Sequence, residues 1–243
     1  MEYENLPINV KKVCDVFILR LEEILREKLY GVYMYGAPMF PDSGPIIDID
    51  CHAILNDSLN DRDRAGIFHL YEDLSKRFPP LGGDLDVWYI LLSDAQKTKL
   101  PMHQLKTDMH DEEWALHCAH IRAGRYLTLY GPEPVDIFPA PSWESITAAL
   151  DYEIDTIKKN LIYPAYGVLN LCRIIYSFQK RDVVISKRFS GLLASDIFPQ
   201  WKPLIKAALR DYEGTATHAD KSRLKAEIEQ FLAFASERIR EAR

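Results

Sequence analysis

The chain has 243 residues, room for one large domain or two small ones with a sizeable buried core. Thirty Lys and Arg against thirty-six Asp and Glu leave a net charge of −6. That argues against nucleic acid as the main ligand, because backbone binding needs a concentrated cationic surface. Hydrophobic residues at 47% and charged residues at 27% exclude wholesale disorder, and no run approaches the roughly 20 apolar residues of a membrane span. The start, Met1-Glu2-Tyr3-Glu4-Asn5, is polar and unlike a signal peptide. Cys14, Cys51, Cys118 and Cys172 lie far apart without a C-x-x-C and read as reduced core thiols. A cytoplasmic globular protein is expected.

From Val10, apolar residues recur at three- and four-residue spacing through Leu29, which predicts a long helix ended by Gly31. Val32 to Tyr35 reads as a short strand, followed by a turn-rich loop holding Pro38, Pro41, Gly44 and Pro45. Ile46 to Leu55 is a strand candidate, Asp61 to Phe78 a helix stopped by Pro79-Pro80, and Leu85 to Leu92 another strand. Asp111 to Gly124 is helical in period, and Gly124 to Pro132 fits a strand ending in a Gly-Pro turn. This order predicts a small sheet with helices on one face. Pro132, Pro134, Pro139 and Pro141 then suggest a semi-rigid connector. Beyond it Ser142–Leu161, Pro164–Phe178, Lys187–Ala194, Trp201–Tyr212 and Thr217–Ala242 all look helical. The expectation is an α/β or α+β domain over residues 1–141 and an all-α bundle over 142–243.

Ile47-Asp48-Ile49-Asp50-Cys51-His52 alternates acid and apolar residues, placing Asp48, Asp50 and His52 on one strand face. Two carboxylates about 7 Å apart on one face repel unless a cation sits between them. A divalent metal with oxygen ligands, such as Mg²⁺, solves this, and an edge strand with one wet face solves it too. Tyr35-Gly36-Ala37 ends the preceding strand, where glycine allows close backbone approach to a ligand. Asp86 is a third acid in a strand-like run. If its strand neighbours the first, three carboxylates converge, and two metals between them would clamp a triphosphate.

The ordered set Tyr35-Gly36-Ala37, Asp48-Ile49-Asp50 and Asp86 resembles the signature of the nucleotidyltransferase superfamily. More narrowly, the chain is similar to the aminoglycoside adenylyltransferases of the streptomycin–spectinomycin type. Leu169-Asn170-Leu171-Cys172-Arg173-Ile174-Ile175-Tyr176 followed by Ile185-Ser186-Lys187 resembles that family's L-x-L-x-R-x-x-Y…SK segment. The resemblance implies an amino-terminal nucleotidyltransferase domain, a helical domain and an active site in the cleft between them. It implies AMP transfer from ATP to a hydroxyl of a small acceptor, an aminoglycoside or spectinomycin-like antibiotic. By the same resemblance Asp48 and Asp50 hold Mg²⁺, and Asp86 is metal ligand or general base. Gly36 and Ala37 form the phosphate-facing turn, Arg173 and Lys187 neutralise phosphate charge, and Trp114 lines the acceptor pocket. The family pattern has serine at Ala37, commonly serine at Ile47 and glutamate at Asp86, and streptomycin-modifying members have aspartate at Tyr163, an acceptor position. Another acceptor, or a non-catalytic nucleotide-binding homologue, are the alternatives. No nucleic acid or membrane partner is expected, and the chain reads as a monomer or weak dimer.

Without the resemblance, Trp114 reads as core, and Arg173 and Lys187 as ordinary helix charges. His103, His110, His117 and His120 show no H-E-x-x-H and no cysteine partner, so surface or packing roles are expected. His52, on the carboxylate face, would pair with an acid there or join the site.

Overall fold

The structure, a computed structural model, describes residues 3–243; Met1 and Glu2, the beginning of the polar start, lie outside them. The described residues divide into two compact units, one of residues 3–39 and 46–142, the other of residues 40–45 and 143–243.

In the first unit, α1 (Ile8–Leu25) buries Val10, Val13, Phe17, Leu21 and Leu25 along one stripe. The helix stops at Arg26, which takes a left-handed φ of 51°. Gly31, the expected terminator, instead lies inside β1 (Leu29–Tyr35). β2 (Ile49–Leu55) follows, three residues later than expected: Ile47 is 51% exposed and Asp48 precedes the strand. The alternation therefore governs the chain only from Ile49 onward. α2 (Asp61–Arg77) begins with a capping box in which Asn60 and Asp63 satisfy each other's backbone N–H groups. Lys28 anchors that Asp63 at 2.7 Å. After α2 come β3 (Leu85–Leu91), the single-turn α3 (Leu92–Ala95), α4 (Trp114–Arg122) and β4 (Leu127–Tyr130).

The strand order is β3-β2-β1-β4. β1 runs antiparallel to β2 and β4, while β2 and β3 are parallel, with α2 as their crossover. Both faces of the central strands are apolar, so both must be covered. Val32, Met34, Cys51, Ala53, Val87 and Tyr89 pack with α1 and α2. Tyr33, Tyr35, Ile54 and Ile90 pack with Trp114, Cys118 and Ile121 of α4. Helices thus lie on both faces, correcting the one-faced expectation. The proline-rich connector is anchored rather than free, because Ile137 and Phe138 join the α4-side core and the Phe138 carbonyl accepts from Arg122 at 3.1 Å.

The second unit contains α5 (Trp143–Lys159), α6 (Pro164–Lys180), α7 (Lys187–Ile197), α8 (Lys202–Tyr212) and α9 (His218–Ala242). α6 is its centre: Val168, Leu169, Leu171, Ile174 and Ile175 are at most 2% exposed, and α7, α8 and α9 surround it. Thr217 and Asp220 form a capping box at α9, and Arg210 of α8 grips the same Asp220 at 3.0 Å. The loop 40–45 groups with these helices, where Gly44 lies against Arg188 and Tyr212. All four cysteines are buried and free. No helix among the described residues is long and apolar enough to cross a membrane.

Candidate active site

Strand register decides which acids meet. Asp50, second in β2, stands opposite Asp86, second in β3, across the parallel ladder, and opposite Tyr35 on the β1 side. Directly paired residues on neighbouring strands share a face, and the strands are about 4.8 Å apart. Two ionised carboxylates about 5 Å apart repel by roughly 1 kcal/mol in water and about 3 kcal/mol at an effective dielectric near 20. Asp86 is exposed and Asp50 half-buried, so a cation can reach them from solvent. Asp48, also half-buried, lies just ahead of β2 rather than within it.

The turn after β1 closes on the same carboxylate. Gly36 has φ +76°, and a Cβ placed there would fall 2.3 Å from Asp50 Oδ2. Only glycine lets the backbone come this close. Ala37 follows, half-buried, opening a 3-10 turn to Met39. Gly36, Ala37, Asp50 and Asp86 are therefore brought to one end of the sheet. Their donors are carboxylate oxygens at a crowded, solvent-reachable spot, a set that fits a hard cation such as Mg²⁺.

Beneath Asp50 on the same strand face lies a buried polar network. His52 is fully buried; its Nε2 lies 3.4 Å from Asp111 Oδ2, and His117 Nδ1 reaches the same oxygen at 2.9 Å. Tyr35 stacks on His52 with ring centroids 4.4 Å apart. Burial lowers the His52 pKa to about 4 despite the pull of Asp111, leaving the ring neutral at physiological pH. Burial alone would raise Asp111, but His117 and the hydrogen bonds from both rings hold its carboxyl below the usual range. For His117 the Asp111 charge outweighs burial, and its pKa rises. Sequence reading placed His52 on this face but missed Asp111, which sits between His110 and Glu112 in a stretch that looks solvent-facing.

The other expected positions fall as follows. Trp114 is 2% exposed: its ring packs on Phe138 at 5.3 Å and its indole N–H donates to the Lys97 carbonyl at 3.3 Å. It is buried in the core on the α4 side of the sheet. Arg173, on α6, is half-buried, and its guanidinium has no hydrogen bond or ion pair among the described residues. Lys187, first in α7, lies with its ammonium 4.8 Å over the Tyr166 ring. Tyr163, capping α6, is 62% exposed.

The helical segment matches a known family model, described as the aminoglycoside adenylyltransferase C-terminal domain, over residues 136–238. Arg173 and Lys187 both lie inside it. The whole chain also shares its fold with the spectinomycin adenyltransferase AAD(9) of Enterococcus faecialis, solved with ATP and spectinomycin. The match has a TM-score of 0.76 at 14% identity and covers 93% of this chain and 98% of that one. No curated protein matches the sequence. The α/β unit followed by a helical unit is thus an architecture shared with that solved structure.

Proposed function

We propose that the protein transfers AMP from ATP to a hydroxyl of a small aminoglycoside-type acceptor, with a spectinomycin-like aminocyclitol as first candidate. The observation that carries this reading is the Asp50–Asp86 pair with Gly36 against it, in a chain whose residues 136–238 match the aminoglycoside adenylyltransferase C-terminal domain model. Such a site has little covalent chemistry to perform; it must position phosphates and offset charge.

Asp48, Asp50 and Asp86 are the residues that would hold Mg²⁺. Bound there, Mg²⁺ supplies neutralisation of phosphate charge. Asp86, the exposed acid, accepts the proton of the acceptor hydroxyl. That oxygen attacks the α-phosphorus, the bond to the bridging oxygen breaks, and pyrophosphate leaves. Gly36, lacking a Cβ, leaves room for the Asp50 carboxylate and lets the turn's backbone approach an anion. Ala37 offers no hydroxyl, so any phosphate contact at this turn comes from backbone N–H. Arg173, with no anionic partner among the described residues, suits a phosphate as a planar fork, and Lys187 adds a point charge. The exposed Tyr163 gives an acceptor an aromatic face where a carboxylate would favour a more cationic one. A site of this chemistry acts in solution on small molecules, and a cytoplasmic monomer or weak dimer with domain limits near 141 is the matching arrangement.

The test is pyrophosphate release from ATP and Mg²⁺ with spectinomycin or streptomycin, and mass spectrometry for the adenylylated product. Asp50→Asn should abolish both product and Mg²⁺-dependent ATP binding. ATP binding indifferent to Mg²⁺ and to Asp50→Asn would overturn the reading.

A further inference from the structure

The carboxylate end of the sheet leaves one chemically loaded cluster unused. His52, Asp111 and His117 each offer one donor atom, and the three atoms lie within 4.8 Å of one another. They come from three segments: β2, the loop ahead of α4, and the first turn of α4. We propose that they form a second metal centre, separate from the Asp48–Asp50–Asp86 group, that takes a borderline divalent ion of the zinc class through two imidazole nitrogens and one carboxylate oxygen.

Spacing supports this assignment. Ligand bonds of about 2.0–2.2 Å in a tetrahedral site put neighbouring donors about 3.4 Å apart. The observed separations from Asp111 Oδ2 are 3.4 Å to His52 Nε2 and 2.9 Å to His117 Nδ1. Two imidazoles and one carboxylate leave a fourth position for water or a small ligand, and that donor set selects against Mg²⁺.

The surroundings hold the donors in place. The other oxygen of Asp111 accepts from the Glu113 backbone N–H at 3.1 Å, and Asp111's own N–H donates to Pro101 O at 3.0 Å. His117 Nε2 lies 3.9 Å from the Glu113 carboxylate, an ion-pair distance beyond hydrogen-bond range. Tyr35 and Trp114 fix the His52 ring by stacking at 4.4 Å and by an edge contact at 5.4 Å. Hydrogen bonding alone serves His52 poorly. Among the described residues its one hydrogen-bond contact is long at 3.4 Å, and its Nδ1 is buried without a partner. A metal–nitrogen bond would form at Nε2, replacing that long contact, while Nδ1 lies on the other side of the ring. His117, 12% exposed, marks the side from which an ion enters. A centre here would pin α4 and its leading loop to β2, two residues beyond Asp50. The inference stands independently of nucleotide transfer.

Metal-stripped protein titrated with Co²⁺ tests it, because tetrahedral Co²⁺ with N and O ligands has visible d–d bands that a hydrated ion lacks. One equivalent should bind, Zn²⁺ should displace it, and Asp111→Asn and His117→Gln should each weaken binding at least tenfold. Asp48→Asn should leave the spectrum unchanged, since Asp48 belongs to the other group. His117→Cys retains a ligand and should bind Co²⁺ with a new thiolate charge-transfer band, which distinguishes lost ligation from misfolding. Absence of d–d bands in the unaltered protein, or bands kept by both Asp111→Asn and His117→Gln, overturns the proposal. So does binding that disappears only with Asp48→Asn.

Discussion

Gly36→Ala tests the geometry at the carboxylates most directly. The added Cβ meets two penalties. It sits at φ +76°, where an L side chain costs roughly 1–2 kcal/mol. It also falls 2.3 Å from Asp50 Oδ2 and 3.3 Å from Asp50 Cγ, so the carboxylate must swing off its rotamer at about 1 kcal/mol. The sum is roughly 2–3 kcal/mol, or about 5–10 °C in the midpoint of thermal unfolding for a protein of this size. The displaced carboxylate should also weaken Mg²⁺-dependent ATP binding at least tenfold. A double-mutant cycle with Asp50→Ala separates the two penalties. Removing the carboxylate relieves the clash and leaves the backbone strain, so the two changes should couple by about 1 kcal/mol. The assay is thermal unfolding of the four proteins, with calorimetric titration of ATP and Mg²⁺ into the two that keep Asp50. Strictly additive changes, or a Gly36→Ala protein with native midpoint and native affinity, would refute the close approach of this turn to Asp50.

Ala37→Ser restores a hydroxyl at the turn and should raise kcat/KM for ATP about fivefold, the worth of roughly 1 kcal/mol of hydrogen bonding; steady-state kinetics showing no change would mean that backbone already grips the phosphate. His103 should make the fold acid-sensitive. Its Nδ1 accepts the Leu105 and Lys106 N–H groups at 3.0 and 3.3 Å, and burial, then Lys106, lowers its pKa to about 4. The unfolded ring, near 6.5, binds the proton first, so stability present above pH 6.5 is lost as pH falls toward 4, by at most about 3 kcal/mol. Urea midpoints should decline over that window and decline less in His103→Asn; parallel declines would discount the histidine. Asn170 on α6 is fully buried, and both its side-chain polar atoms lack a partner among the described residues. Asn170→Leu, of similar size, should stabilise the helical unit by about 1–2 kcal/mol, and a lower urea midpoint would show that the amide has a role there.

Helices α1, α2 and the five of the second unit were legible because their evidence is local. A stripe at three- and four-residue spacing, an Asn60 or Thr217 cap and a proline stop all act within one or two turns. The acids were legible for the same reason: carboxylates among Ile49, Cys51, Leu85 and Val87 contradict their immediate surroundings. Gly31 misled because a glycine after a helix resembles a terminator, whereas Arg26 had already turned the chain into β1. Which acids meet was not local. Asp50 faces Asp86 only because β2 and β3 pair in parallel in that register, and pairing is set by sheet topology that no short window encodes. The approach of Gly36 to Asp50 follows from the antiparallel β1–β2 pairing, which sets Tyr35 opposite Asp50. That Trp114 is buried was not local either, since it follows from the second sheet face needing a cover, which α4 supplies. Convergence of His52, Asp111 and His117 from three segments likewise had no spacing to betray it. The sequence by itself determined the elements and the chemistry they carry; the tertiary structure alone decided which of those groups stand together, because proximity across strands is created by folding.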